Sequence, residues 1–259
     1  MSKPLVLDLY CGLGGWAQGF LAEGWWCVGF DIERHDYGTG GYPGDLILQD
    51  VLTLHGSQFR EASCIVASPP CQAYSYRAMP WSRAKALPPP DNTLFEACFR
   101  IQREASEAAG RYIPLIVENV RGAQKWVGRA KAWFGSYYLW GDVGMVGKRV
   151  VAGIPQYGAG VIAIRSSAQK VNPDGTGYGP GSWFKIADSK NRGVQAVGRK
   201  VGHDWLGGYG GGFGWDCSPM RRNNSRSSAR RAASAQIAKI PFSLAQHIAL
   251  TFKPYQDSR

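Results

Sequence analysis

Short apolar runs alternate with stretches of helical period through the first 120 residues. The runs "PLVLDLY" (4–10), "WCVGFDI" (26–32), "CIVASPP" (64–70) and "YIPLIVENV" (112–120) are nearly continuous in apolar residues. Such runs predict strands buried on both faces, as in a parallel sheet. Between them, "GWAQGFLAEG" (15–24) reads as a helix closed by glycine. "TLFEACFRIQREASEAAG" (93–110) reads as an amphipathic helix with Leu94, Phe95, Cys98, Phe99 and Ile101 on its apolar face. Strand–helix–strand alternation of this kind predicts an α/β fold, a mostly parallel sheet with helices on both faces.

The pattern changes beyond about residue 121. Residues 141–220 are rich in glycine and aromatics, as in "GTGYGPGSWF" and "WLGGYGGGFGW", and carry little periodicity. They predict a small loop-rich lobe. "MRRNNSRSSARRAAS" (220–234) holds five arginines, and an apolar segment broken by a proline, "ASAQIAKIPFSLAQHIAL" (233–250), follows. The expected organisation is a core over 1–140, a lobe over 141–228 and a C-terminal segment, 229–259, returning to the core.

A chain of 259 residues is long enough to bury a sizeable core. The formal charge of +11 fits either a polyanionic partner, most simply nucleic acid, or a generally basic surface. No stretch is long and apolar enough to span a membrane. The six cysteines have no paired CxxC spacing and no histidine cluster, which argues against a zinc site or a disulfide framework and for reduced thiols in a cytoplasm.

Candidate chemistry sits at the ends of the predicted strands. "LDLYCGLGGWAQGF" places Asp8 before a turn in which Gly12, Gly14 and Gly15 allow close backbone approach to a ligand. Asp31 ends the next strand, where an acid can accept from ribose hydroxyls, and Ile32 could pack on an adenine face. Asp50 ends a third run and could accept from an adenine amino group. Asp8 would repel a pyrophosphate but suits a cationic or zwitterionic ligand, which points to S-adenosylmethionine. Cys71 in "VASPPCQAYS" follows two prolines, a stiff turn suited to presenting a thiol. Glu118 and Asn119 in "LIVENV" end another strand at the same edge. A thiol and a carboxyl placed so suit nucleophilic attack assisted by an acid.

These residues resemble the DNA cytosine-5 methyltransferase family. "DLYCGLGG" is similar to its cofactor loop (DxFxGxGG), "SPPCQ" to its catalytic loop, "ENV" to its glutamate motif and "AQIAKIPFSLAQHIA" to its last motif (QxGNxVPxxLAxxI). The resemblance covers residues 1–125 and about 230–252. It implies a Rossmann-like methyltransferase fold and a monomer acting on double-stranded DNA, with no metal and S-adenosylmethionine as cofactor. Cys71 would attack C6 of a flipped cytosine while Glu118 holds a proton at N3, with Asn119 beside it. The cofactor set carried over is Asp8, Tyr10, Cys11, Gly12, Gly14, Gly15, Asp31, Ile32, Asp50, Val51, Pro69, Leu94, Ala238 and Lys239. Gln72, Ser75, Arg149, Arg221, Arg222 and Arg226 would meet DNA. Arg230 and Arg231 join that basic stretch, which reads equally as a mobile linker.

Two departures stand out. The family's QxRxR motif is missing after "ENV", with Lys148 and Arg149 as partial stand-ins. The short lobe predicts short or relaxed sequence specificity, suited to a phage or restriction-modification enzyme. A transfer-RNA methyltransferase and a non-catalytic DNA-binding homologue are the alternatives. The last motif differs as well, with Ala238-Lys239 replacing Gly-Asn. Lys239 could select carboxy-S-adenosylmethionine and make the chain a carboxymethyltransferase yielding 5-carboxymethylcytosine. It could equally face solvent, the cofactor's own carboxylate or a DNA phosphate. Methyl transfer is the main expectation.

Overall fold

The computed structural model describes residues 2–37, 40–74, 88–134, 136–143, 231–232, 235–236 and 238–254, and the backbone of 194–195 and 199–200. Leu5–Leu9 form β1, an interior strand of a seven-stranded sheet. The other strands are β2 (Trp26–Asp31), β3 (Asp45–Leu48), β4 (Cys64–Ala67), β5 (Leu115–Asn119), β6 (Ala132–Phe134) and β7 (Tyr137–Gly141). Their order is β3-β2-β1-β4-β5-β7-β6. The first five run parallel, whereas β7 pairs antiparallel with β5 and with β6.

The register brings four strand ends to one edge. Leu9 lies opposite Phe30 on β2 and Ala67 on β4, and Ala67 lies opposite Val117 on β5. The chain moves outward from β1 to β3 and then crosses to β4 on the other side. That reversal makes a crevice outside the carboxyl ends of β1 and β4, where open α/β sheets bind ligands. The fold is the α/β arrangement expected from the sequence, a mostly parallel sheet with helices on both faces.

Alternate residues of each strand feed two cores. On one face Val6, Cys27, Val66 and Ile116 pack with Trp16 and Phe20 of α1 (Gly15–Ala22). On the other Leu7, Leu9, Ile65 and Val117 pack with Phe95, Cys98 and Ile101 of α2 (Thr93–Ala109). α2 ends at Gly110, whose φ of 64° is a left-handed cap, as the glycine in the sequence predicts. After the short α3 (Gln124–Val127), α4 (Phe242–Phe252) starts at Pro241 and lays Leu244, Ile248 and Phe252 into the α1 core. Gln246 donates to Glu23 Oε1 at 2.7 Å and Lys253 Nζ to the Glu23 carbonyl at 2.7 Å, tying the end of α1 to α4.

The chain divides into two units. One comprises Met1–Ser75, Pro88–Arg165 and Ile240–Arg259 and holds the seven-stranded sheet; the other comprises Tyr76–Leu87 and Ser166–Lys239. In the second, β8 (Val194–Gln195) pairs antiparallel with β9 (Arg199–Lys200). Among the described residues no helix is long and apolar enough to cross a membrane.

Candidate active site

The loop after β1 is held from three sides. The Cys11 amide donates to the Phe30 carbonyl at 3.1 Å and the Gly12 amide to Asp31 Oδ2 at 3.0 Å. Gly14 adopts φ 69°, and a Cβ there would stand 2.3 Å from Pro43 Cδ. A Cβ at Gly15 would stand 2.5 Å from the Ile240 backbone nitrogen. Both glycines therefore serve close approach, one to the β2–β3 connection and one to the segment entering α4. Tyr10, at φ 58°, donates its hydroxyl to the Leu94 carbonyl at 2.8 Å, which brings together two residues of the expected cofactor set.

Asp31 is buried at the end of β2. Its Oδ1 accepts from the Glu33 amide at 3.2 Å and faces His35 Nε2 at 3.3 Å. Burial pushes its pKa up, but hydrogen bonds from His35 and the Gly12 amide outweigh that and hold it below the usual value. His35 is raised in return, chiefly by its bond to Asp31. Ile32, next in the chain, is 74% exposed, an apolar side chain left facing outward beside the acid. Asp50 is exposed and caps the turn Val51–Thr53 by accepting from the Leu52 amide at 2.9 Å; Val51 itself is buried.

Asp8 differs from the rest of its set. It is 0% exposed, and neither carboxyl oxygen is hydrogen-bonded. The Tyr42 hydroxyl and the Ala17 amide face it without completing a bond. Burial, and then the Asp31 charge, raise its pKa well above the usual carboxyl value. It lies beneath the loop and not on its surface.

Cys71 and Glu118 come from neighbouring parallel strands. The pairing of Ala67 with Val117 sets Ser68 beside Glu118. The Asn119 side-chain Nδ2 donates to the Pro69 carbonyl at 2.9 Å, so the residue after the acid holds the loop that carries the thiol. The Cys71 carbonyl accepts from the Tyr74 amide at 3.0 Å, and the Tyr74 hydroxyl donates to Asn92 at 2.9 Å. Gln72 lies exposed in the turn Gln72–Tyr74. Cys71 alone of the described cysteines is partly exposed; Cys11, Cys27, Cys64 and Cys98 are buried.

Electrostatics give the two groups complementary states. Glu118 is 9% exposed, and burial pushes its pKa up to about 8, with partial relief from a hydrogen bond with Ser68. It is therefore a neutral acid at pH 7, able to donate a proton. Burial, followed by the Glu118 charge, pushes the Cys71 thiol up to about 11. Protonating Glu118 removes that repulsion.

Lys239 is half-buried, and burial holds its ammonium below the usual lysine value. It immediately precedes Ile240, whose backbone lies against Gly15. Ala238 and Arg231 are exposed. Ser75, Lys148, Arg149, Arg221, Arg222, Arg226 and Arg230 lie outside the described residues. Reading the sequence alone misses His35 and Ser68. His35 has only its spacing from Asp31 as a signal, while Ser68 opens the "SPPCQ" motif and carried one in plain view. Among the described residues there is no group of three or more His, Cys, Asp or Glu able to hold a metal ion.

Residues 5–127 match the family model of the C-5 cytosine-specific DNA methylase. Among solved structures, the chain is similar to a protein described as a DNA modification methyltransferase encoded within a prophage (E. coli). The identity is 23% over 48% of this chain and 34% of that one, with a TM-score of 0.35. It is similar to S. pombe Dnmt2 methyltransferase at 18% identity over 48% and 36%, with a TM-score of 0.33. Similarity to a mutant of Spodoptera frugiperda DNMT2 is 11% identity over 96% and 99%, with a TM-score of 0.45. The matches to the first two span about a third of their length. No curated protein sequence matches the chain.

Proposed function

We propose, from the premise that residues 5–127 are a C-5 cytosine-specific DNA methylase domain, that the chain transfers a one-carbon group to C5 of cytosine in DNA. The observation that carries the reading is the pairing of Cys71 with a neutral, buried Glu118 at adjacent strand ends, locked by the bond from Asn119 to Pro69. The Cys71 thiol gives its proton to water as its sulfur adds to C6 of an extruded cytosine. Glu118 places its proton on N3, so the electrons pushed into the ring end on a neutral enamine and not on an anion. C5 would then bond to the transferred carbon as that carbon's bond to the donor's sulfonium breaks, the electron pair staying on the neutral thioether that leaves. Loss of the C5 proton to water expels Cys71 as thiolate, and N3 returns its proton to Glu118.

S-adenosylmethionine, when bound, supplies the electrophilic carbon. The residues suit it: the Gly12–Gly15 turn offers close backbone approach, and buried Asp31 with exposed Ile32 offers a polar and an apolar contact side by side. A chain that modifies DNA in this way would be a soluble cytoplasmic enzyme of bacteria or phage.

Lys239 favours a second reading, transfer of a carboxymethyl group from carboxy-S-adenosylmethionine. A lysine stands where the family's motif has asparagine, and Ile240 beside it reaches the cofactor turn. A lysine–carboxylate pair at about 4 Å is worth up to roughly 4 kcal/mol at an effective dielectric near 20, before desolvation. Nucleoside mass spectrometry of DNA from cells expressing the chain tests both readings. Methyl or carboxymethyl on cytosine, lost in Cys71→Ala, supports them; unmodified cytosine in DNA refutes them.

A further inference from the structure

One polar contact joins the cofactor turn to the acid. Trp16 opens α1 directly after Gly15, and its indole is buried in the core. Its Nε1–H donates to Ser68 Oγ at 3.0 Å. An indole nitrogen can only donate, so the Ser68 oxygen must accept. The Ser68 hydroxyl proton is then free to point elsewhere, and the register that pairs Val66 with Ile116 and Ala67 with Val117 puts Glu118 next to Ser68 across the β4–β5 pairing. Ser68 is also fixed through its backbone, whose amide donates to the Leu9 carbonyl at 3.1 Å. One serine therefore bonds to β1 and α1 and follows β4 beside the end of β5.

We infer that Ser68 is a positioning residue: oriented by Trp16, it donates to one oxygen of Glu118 and leaves the acid proton on the oxygen that faces the base. The inference rests on the reading of Glu118 as the acid acting at N3. Its physical content is independent of any substrate. A donor fixed on one carboxyl oxygen breaks the symmetry of the group, so the proton resides on the other. The loop that holds the cofactor and the acid that holds the base then share one hydrogen-bonded chain, Trp16–Ser68–Glu118.

The test is carboxyl-carbon NMR of Glu118 in the full, ligand-free chain, followed against pH, together with the indole N–H resonance of Trp16. In the wild type Glu118 titrates near pH 8, and the Trp16 resonance moves with the same midpoint. Ser68→Ala removes a donor to the ionised form, so Glu118 titrates about one pH unit higher and Trp16 no longer follows it. Ser68→Thr keeps the hydroxyl and restores the wild-type midpoint. Trp16→Phe shifts Glu118 in the same direction, and the double variant shifts it no further than Ser68→Ala alone. A wild-type Trp16 resonance indifferent to the Glu118 titration overturns the inference, as does an unchanged midpoint in Ser68→Ala. Should Ser68→Ala not fold, the wild-type Trp16 titration decides by itself. Absence of cytosine modification by the wild type would remove the catalytic reading and leave the NMR result standing.

Discussion

Replacing Glu118 by glutamine should stabilise the protein at alkaline pH while destroying its proposed chemistry. The wild-type carboxyl is raised from 4.5 to about 8 by burial. Between those values the folded chain binds a proton that the unfolded chain has released, so stability falls as pH rises through that window. Below about 4.5 both states are protonated, and above about 8 both are ionised, so the loss is confined to the interval. At 1.36 kcal/mol per pKa unit, the full loss is about 5 kcal/mol. Glu118→Gln has the same shape and no titration. Ser68 can still donate to its carbonyl oxygen, whereas the new amide N–H groups cost something at every pH. The informative quantity is therefore the difference in slope. Urea denaturation at several values from pH 5 to 9 measures it. The wild type should lose stability relative to the variant by a few kcal/mol over this range, and Asp8, common to both, cancels. Parallel curves would show that Glu118 is ionised in the folded chain near pH 7, and the acid role would fall with that result.

Other substitutions probe the loop contacts. Gly15→Ala sets a methyl 2.5 Å from the Ile240 nitrogen; it should cost about 1–3 kcal/mol in urea denaturation and weaken S-adenosylmethionine binding by calorimetry. Asn119→Ala leaves the buried Pro69 carbonyl without its donor, at about 1–3 kcal/mol, and loosens the Cys71 loop. Adduct formation should slow by about tenfold or more, beyond any change in folded fraction. Lys239→Asn, offered both cofactors, should lower the ratio of carboxymethyl to methyl product by at least about tenfold, corresponding to 1.4 kcal/mol. An unchanged ratio removes the lysine from cofactor choice.

β1, β2, β4 and β5 were legible because each is a short, nearly continuous apolar run. Asp8 and Asp31 do lie at the ends of β1 and β2, and Glu118 at the end of β5. The hairpin β6–β7 was less visible. "AWFGSYYLWG" is aromatic without strict alternation, and its strands add antiparallel to β5 only through tertiary pairing. The site divides in the same way. Motif residues could be named singly, but burial could not be read from them. Asp8 reads as a cofactor ligand in the sequence and lies sealed below the turn in the fold. Ser68, visible only as the first residue of "SPPCQ", gains its place from the β4–β5 register beside Glu118 and from the bond it accepts from Trp16. The engagement of Asp31 by the Gly12 amide and His35 likewise depends on a loop path that no residue pattern specifies.

The central claim is that Cys71 adds to cytosine. Duplex DNA and transfer RNA, each carrying 5-fluorocytosine, are incubated with the chain and S-adenosylmethionine, and the products are digested and mapped by mass spectrometry. Fluorine cannot leave C5 as a proton does, so an enzyme of this kind is trapped after transfer. The account predicts a DNA adduct on the Cys71 peptide, absent in Cys71→Ala. An adduct with transfer RNA alone, an adduct on another cysteine, or no adduct at all would contradict it.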